Sequence, residues 1–310
     1  MGRIVAADAA GIELAVAALR RGEVIGLPTE TVYGLAADAT NDRAIRKIYA
    51  IKGRPTDHPL IIHIATISQL DALATSVSAS CRALIEYAWP GPLTVVVPAR
   101  STVSRVATGG LDTVAVRMPA HPVARAIIER LDRPIAAPSA NRFGHVSPTL
   151  AEHVISDLGN DVSLVVNGGP CEIGIESTIV DCTSSVVRIL RPGAITDDDV
   201  SRLVAGTETP DGRETPGNLT SSSEVRAPGM LDRHYAPAAR VVLHETFGTV
   251  PSGATIIDCQ SDVLESARSL YARLRKADDD GASVVHVVLP PARGLGIALR
   301  DRLQKAAAGR

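Results

Sequence analysis

The residues most able to do chemistry stand in KGRPTDHPLIIHI, where Lys52, Arg54, His58 and His63 surround an apolar, strand-like run. Lys52 falls in the last turn of a helical stretch, where the helix dipole alone would favour a cation. With Arg54 and His58 beside it, and Pro55 and Pro59 stiffening the loop, the group has the makeup of a polyphosphate clamp. On such a loop Lys52 and Arg54 are expected to be solvated. A second cluster, LPTETVYGL, sets Thr29, Glu30 and Thr31 on a turn between strand-like segments, where hydroxyls either cap the turn or meet a ligand. In RPIAAPSANRFGHVSPT, Ser139, Asn141, Ser147 and Thr149 follow a buried strand, the place where an open α/β sheet puts ligand contacts. Ser147 or Thr149 would equally cap the next helix, with Pro148 in its first turn. NGGPCEIGIESTIVDC adds Glu176, Ser177 and Thr178, and RILRPG adds Arg188 and Arg191. No GxxxxGK[ST] loop, GxGxxG fingerprint or GxSxG elbow is present, so a nucleotide would be held by distributed contacts.

Elements able to position these clusters are marked by periodicity and punctuation. AAGIELAVAALRR at 9–21 has helical spacing behind Asp8 as N-cap and ends at Gly22. Strand-like runs follow at EVIGL, TVYGLAA, LIIHI, LTVVVP, TVAVRMP, PIAAP, LVVNGG, STIVDC and VVRILRP, interleaved with helical stretches at 42–51, 68–74, 79–88, 122–131 and 149–157. LIIHI and VVVP are apolar on successive residues, which predicts strands covered by helices on both faces. The fold class is therefore α/β, with a large, mostly mixed twisted sheet and covering helices over residues 1–205. Residues 206–238 form a linker or cover, opening with a Gly, Pro, Ser and Thr-rich stretch that lacks the apolar residues to pack alone. A small Rossmann-like α/β unit occupies 239–310, with a helix at 263–277 and another at 296–307.

Composition limits the function classes. The 310 residues carry a net charge of −2, with 45% hydrophobic, 21% charged and only 3% aromatic residues. That balance is globular and gives no global attraction to a phosphate backbone and few rings for stacking bases, so a polyanion must meet a local basic pocket. The N-terminus has no signal-like pattern and no apolar run approaches the roughly 18 residues of a membrane helix, which predicts a cytoplasmic protein. Cys81, Cys171, Cys182 and Cys259 lack metal-ligand spacing and read as reduced, buried thiols.

Seven motifs in one order, PTETVYGLAADA, KGRPTDHPLIIHI, WPGPLTVVVP, VAVRMPAHP, APSANRFGHVSPT, GIESTIVD and RILRPGAI, closely resemble the L-threonylcarbamoyladenylate synthase family. APGMLDRHYAP at 227–237 resembles the linker signature of its two-domain members, here with a C-terminal domain shortened to about seventy residues. The resemblance implies a synthase domain with a double-stranded-RNA-binding-like fold. It also implies a reaction: threonine, bicarbonate and ATP, with Mg²⁺ on the phosphates, give L-threonylcarbamoyladenylate and pyrophosphate. A downstream transferase complex then modifies the tRNA adenosine next to the anticodon. Carried over by position, Lys52 and Arg54 would be catalytic and hold the triphosphate. Thr31, His63, Arg117, Ala137 and Ser177 would surround threonine. His58, Thr113, Ser139, Asn141, Ser147, Arg191 and Tyr235 would line the ATP side, and Tyr235 would belong to a segment covering the cleft. A double-stranded-RNA or ribosome-binding module is disfavoured by the acidic balance. A hydrogenase-maturation carbamoyl-adenylate enzyme would come in a longer chain with acylphosphatase and zinc-finger segments, and a structural adaptor would not need so many polar strand-exit residues.

Overall fold

The computed structural model describes residues 2–205, 227–229 and 234–309. In chain order the first unit contains β1 (Arg3–Ala6), α1 (Ala9–Arg20), β2 (Ile25–Leu27), β3 (Gly34–Asp38), α2 (Asp42–Lys52), β4 (Ile61–His63), α3 (Ile67–Leu73), α4 (Ala79–Ala88), β5 (Leu93–Pro98), β6 (Thr113–Arg117), α5 (Pro122–Leu131), β7 (Ile135–Ala136), α6 (Ala151–Leu158), β8 (Leu164–Asn167), β9 (Thr178–Asp181), β10 (Arg188–Arg191) and α7 (Asp197–Ala205). Its ten strands form one sheet in the order β1-β8-β2-β3-β7-β4-β6-β5-β9-β10. The sheet is mixed: β4 runs parallel to β6 and β5 parallel to β9, while β5–β6 and β4–β7 are antiparallel. The second unit contains β11 (Arg240–His244), β12 (Ile256–Asp258), α8 (Val263–Asp279), β13 (Val284–Val288) and α9 (Leu295–Ala307), with a parallel sheet ordered β11-β13-β12.

Two elements escape the periodicity reading. β1 is a four-residue edge strand whose pairing with β8, far along the chain, makes it a strand. Helix α7 opens on a reciprocal cap, Asp199 N–H donating to Thr196 Oγ1 and Thr196 N–H to Asp199 Oδ2, a signal that sits in TDDDVSRLVA. All four cysteines are free and buried. No helix among the described residues is long and apolar enough to cross a membrane.

Burial corrects one expectation in a way that makes a site. On one face of the sheet, β3 to β6 pack against α2, α3 and α4 through residues such as Leu60, Ile62, Val95, Val97, Ile48 and Leu84. On the other face, α1 and α5 cover only the β8-β2-β3-β7 end. Over β4, β6, β5 and β9 that face carries Ile61, Val96, Ala115 and Ile179 against Ala227, a cluster that, among the described residues, includes no helix residue. Because side chains alternate along a strand, His63, Arg117 and Thr94 point to this same face, in one row set by the register His63↔Arg117 and Thr94↔Arg117. Of the segment read as linker and cover, residues 206–226 and 230–233 lie outside the described residues, and Met230 and Leu231 with them.

Candidate active site

That face of the sheet is roofed by Pro228, Gly229, His234 and Tyr235 into a cavity of about 50 Å³. A water needs roughly 10–15 Å³ by this measure, so the space suits a few waters and must widen to admit a nucleotide. Thr31, Arg54, His63, Arg117, Ala137, Ser139, Ser177, Arg191 and Tyr235, all candidates from the sequence, line it. Glu176 and His234 line it as well.

Arg117 organises the inner end. Its Nη2 donates to Glu30 Oε1 at 2.6 Å, Nη1 to Thr31 Oγ1 at 2.7 Å and Nε to the Gly91 carbonyl at 3.2 Å. A guanidinium has five N–H groups, so two remain for a ligand carboxylate. Burial, the largest single influence, pushes the Glu30 carboxyl up, but the Arg117 charge, the Arg117 hydrogen bond and backbone N–H groups together hold it below the usual carboxylate range. His63 is buried beside this pair, which lowers its pKa to about 3, so it is neutral at physiological pH. Its Nδ1 has no partner among the described residues, which suits a hydrogen bond to a ligand rather than acid–base work. Ser177 Oγ lies 2.7 Å from Thr94 Oγ1 and accepts from Arg191 Nη2 at 3.0 Å. The Ala137 N–H is already given to the Ile61 carbonyl at 3.0 Å.

Local structure explains the cationic end. Asn41 caps α2 by accepting from the Arg43 and Ala44 amides, and Gly53, at φ +65°, stops it in the left-handed conformation that glycine adopts at no steric cost. Lys52 thus ends the helix and Arg54 begins the loop. Both are buried, Lys52 at 3% and Arg54 at 7% exposure, so the expectation of a solvated loop is wrong. The Ser139–Asn141 turn packs over Lys52, whose Nζ donates to the Ser139 and Asn141 carbonyls at 2.6 Å each. Lys52 is therefore behind the wall, holding the turn that carries Ser139. Burial, then the neighbouring Arg54 charge, push its pKa well below the ordinary lysine value. Arg54 does face the cavity; it donates to the Pro59 carbonyl at 3.0 Å and lies 5.8 Å from the Phe143 ring centre. Burial lowers its pKa to about 10, which leaves it charged. Arg191 donates to the Ser177 and Pro228 carbonyls.

Other sequence candidates are not brought to the cavity wall. His58 stands outside it, its ring 5.7 Å from that of Phe143 and its Nε2 4.0 Å from Asp57. Asn141 Nδ2 donates to the Arg142 and His145 carbonyls, and Ser147 Oγ to Glu176 Oε1 at 2.6 Å. Thr113 starts the strand that Arg117 ends, about 13 Å away at strand rise. It lines a separate cavity with Val96, Asp112 and Asp181.

The roof joins Tyr235, expected from the sequence, to His234, which the sequence reading did not name as a site residue. His234 is buried, its Nδ1 has no partner among the described residues, and burial takes its pKa to about 3. Tyr235, at φ +62°, stacks on Tyr271 of α8 with centroids 5.8 Å apart and presents an Oη without a partner among the described residues. Gly229, at φ +82°, must be glycine for a second reason: a Cβ there would come within 2.5 Å of Tyr235 Oη. Lys305 of α9 donates to the Gly229 carbonyl at 2.7 Å, and Arg302 of α9 pairs with Glu176 at 2.8 Å. His234 stood in the RHYAP stretch as a visible signal, whereas Arg302 looks like any cation on an amphipathic helix.

Comparison with known proteins agrees with this architecture. Residues 17–193 match the Sua5–YciO–YrdC family model, described as telomere recombination, and residues 195–308 match the model described as threonylcarbamoyl-AMP synthase, C-terminal domain. The chain is 40% identical to the threonylcarbamoyl-AMP synthase of Pyrococcus abyssi, over 95% of this chain and 93% of that protein. It is 38% identical to that of Bacillus subtilis, over 96% and 93%. The crystal structure of P. abyssi Sua5 complexed with L-threonine superposes with a TM-score of 0.89 at 38% identity, covering 99% of this chain and 98% of that one.

Proposed function

The chain belongs to the Sua5–YciO–YrdC family of threonylcarbamoyl-AMP synthases, and from that premise we propose that it condenses L-threonine, bicarbonate and ATP into L-threonylcarbamoyladenylate, releasing pyrophosphate. One observation carries the ATP half. Arg117 and Arg302 are matched by the buried carboxylates Glu30 and Glu176. Lys52, Arg54 and Arg191 are buried as well, yet among the described residues they meet only carbonyls and the Ser177 hydroxyl. Buried cations with no carboxylate hydrogen-bonded to them are costly, and a triphosphate would supply that pairing.

The chemistry asks for alignment more than for covalent help. The threonine nitrogen bonds to the carbon of bicarbonate with loss of water, giving a carbamate. A carbamate oxygen then bonds to the ATP α-phosphorus as the bond to the bridging oxygen breaks, and pyrophosphate leaves with the electron pair. Arg117 would hold the threonine carboxylate through its two remaining N–H groups, with Thr31, His63 and Ser177 around the amino acid. Arg54 and Arg191 would stabilise charge on the departing pyrophosphate, and Lys52 would join them once the Ser139–Asn141 turn yields. Mg²⁺ would enter with the nucleotide substrate and neutralise part of its phosphate charge. The mixed anhydride made here is the donor that a tRNA-modifying transferase consumes.

Pyrophosphate release from ATP, measured with each of the twenty amino acids and with or without bicarbonate, tests the reading. Threonine-stimulated, bicarbonate-dependent release is expected; equal rates with serine, alanine and no amino acid would overturn it. The roof would exclude water from a carbamate and an anhydride that both hydrolyse. Tyr235→Ala is accordingly expected to raise ATP consumed per threonylcarbamoyladenylate formed. An unchanged ratio would make the roof a tether between the two units and no more.

A further inference from the structure

Glu176 is a carboxylate standing in a cavity otherwise rich in cations, and the reaction above gives it no task. Its Oε1 accepts from Ser147 Oγ at 2.6 Å, within the first unit. Its Oε2 accepts from Tyr271 Oη at 2.9 Å and Arg302 Nε at 2.8 Å, both from the second unit. Arg302 is fully buried, gives Nη2 to the Pro192 carbonyl at 3.0 Å and lies 5.2 Å from the centre of the Tyr235 ring. One side chain on α9 thus reaches the acid of the cavity, the end of β10 and the roof.

We propose that Arg302, with Tyr271, is a positioning residue for the synthase reaction, neutralising Glu176 from the second unit so that Arg191 and Arg54 present a cationic wall to the triphosphate. The proposal rests on the ATP reading of the cavity. An uncompensated carboxylate at this depth would repel phosphate and draw Arg191 to itself, because the low dielectric strengthens both effects. Burial pushes Glu176 up, and Arg302, then Arg191, pull it down to about 2, with Ser147 helping. The other groups whose charge bears on it or on its partners include Tyr271, Tyr235, the neutral His234, Lys52 farther off, and, on α9, Asp301, which pairs with Arg302 and with Lys305. Without Arg302, burial regains weight and the Glu176 pKa rises. Its charge would then be lost on acidification at a higher pH than in the wild-type protein.

Arg302→Met is expected to raise the KM for ATP about tenfold or more while leaving the KM for threonine within about threefold. The defect should ease as the medium is acidified, when Glu176 takes up a proton. Adding Glu176→Gln to the same chain should restore the ATP KM to within about threefold of wild type, since the pair is then absent as a whole. Were Arg302 needed only to dock α9, neither acid nor Glu176→Gln would rescue it, and that result overturns the proposal. Should Arg302→Met fail to fold, Tyr271→Phe keeps the ring and removes one donor. It is expected to raise the ATP KM several-fold with the same recovery in acid, and an unchanged KM and pH profile would overturn the proposal equally. A wild-type chain without threonine-dependent turnover would sink the synthase reading itself, whereas a competent wild type with an unaffected Arg302→Met variant sinks this inference alone.

Discussion

Arg117→Ala is expected to lower kcat/KM for threonine by about a thousandfold, at the upper end for a lost charge-stabilising donor, and to destabilise the fold by about 3–5 kcal/mol, as breaking a buried ion pair does. Two consequences follow from one side chain because Arg117 lines the cavity, spends three N–H groups on Glu30, Thr31 and Gly91 and has two more to give. The Glu30–Arg117 pair is almost wholly inside, with 5% and 4% side-chain exposure, so solvent screens it little. Its contribution to stability has a sign in pH. The folded-state pKa of Glu30 is depressed, so the contribution is present above the unfolded carboxylate value and is lost as pH falls through the folded one. In Arg117→Ala that acid-side loss should vanish from the stability profile. Arg117→Lys keeps the charge but not the fork, and should recover stability more than turnover. Steady-state kinetics and denaturant unfolding on the three proteins check this; a raised KM for ATP with the threonine KM untouched would take Arg117 out of the amino-acid site.

Lys52→Ala is expected to cut turnover by two or more orders of magnitude, about 3 kcal/mol in the barrier, and to cost about 2–4 kcal/mol of stability as well. The second effect is the reverse of what an exposed loop would show. The ammonium satisfies the Ser139 and Asn141 carbonyls, and orphaning two buried acceptors costs about 1–3 kcal/mol each, less what water recovers. Lys52→Met separates the effects, since it keeps the buried stem and removes the donors and the charge. It should match the alanine variant in turnover and lie between it and wild type in stability. Because burial and Arg54 depress the Lys52 pKa, a triphosphate that raises it again should drive proton uptake on binding at pH values between the depressed and the raised pKa. Calorimetry in buffers of different ionisation enthalpy reads that uptake. Its absence in the wild type, with full turnover in Lys52→Met, would reduce Lys52 to a structural pin.

Much of the molecule was legible before any fold was known, because the signals are local. Helices α1 and α2 follow from apolar spacing behind Asp8 and Asn41, and from glycines that end them at positive φ. The strands carrying Thr94 and Arg117, and the one that Ser177 precedes, follow from short apolar runs between turn residues, and the motifs that named Thr31, His63, Arg117, Ser177 and Arg191 name residues that do line one cavity. Edge strand β1 was not legible, since four residues become a strand only by pairing with β8.

Charge pairing and exposure belonged to the tertiary structure. KGRP reads as a solvated loop, and nothing near Lys52 announces that carbonyls 87 and 89 residues away will close over it. Thr113 shares a strand with Arg117, but the roof closes at the Arg117 end and leaves Thr113 to another cavity. Glu176 and Arg302 are 126 residues apart; the GIEST run marks Glu176 but not its partner, and Arg302 looks like an ordinary surface charge in its own segment. A sequence by itself determines which backbone forms and which side chains share a strand or helix face, since those depend on neighbours a few residues away. Which charge faces which, and which is cut off from water, depends on how distant segments pack, and here the Ser139–Asn141 turn over Lys52 and Arg302 of α9 against Glu176 decided it.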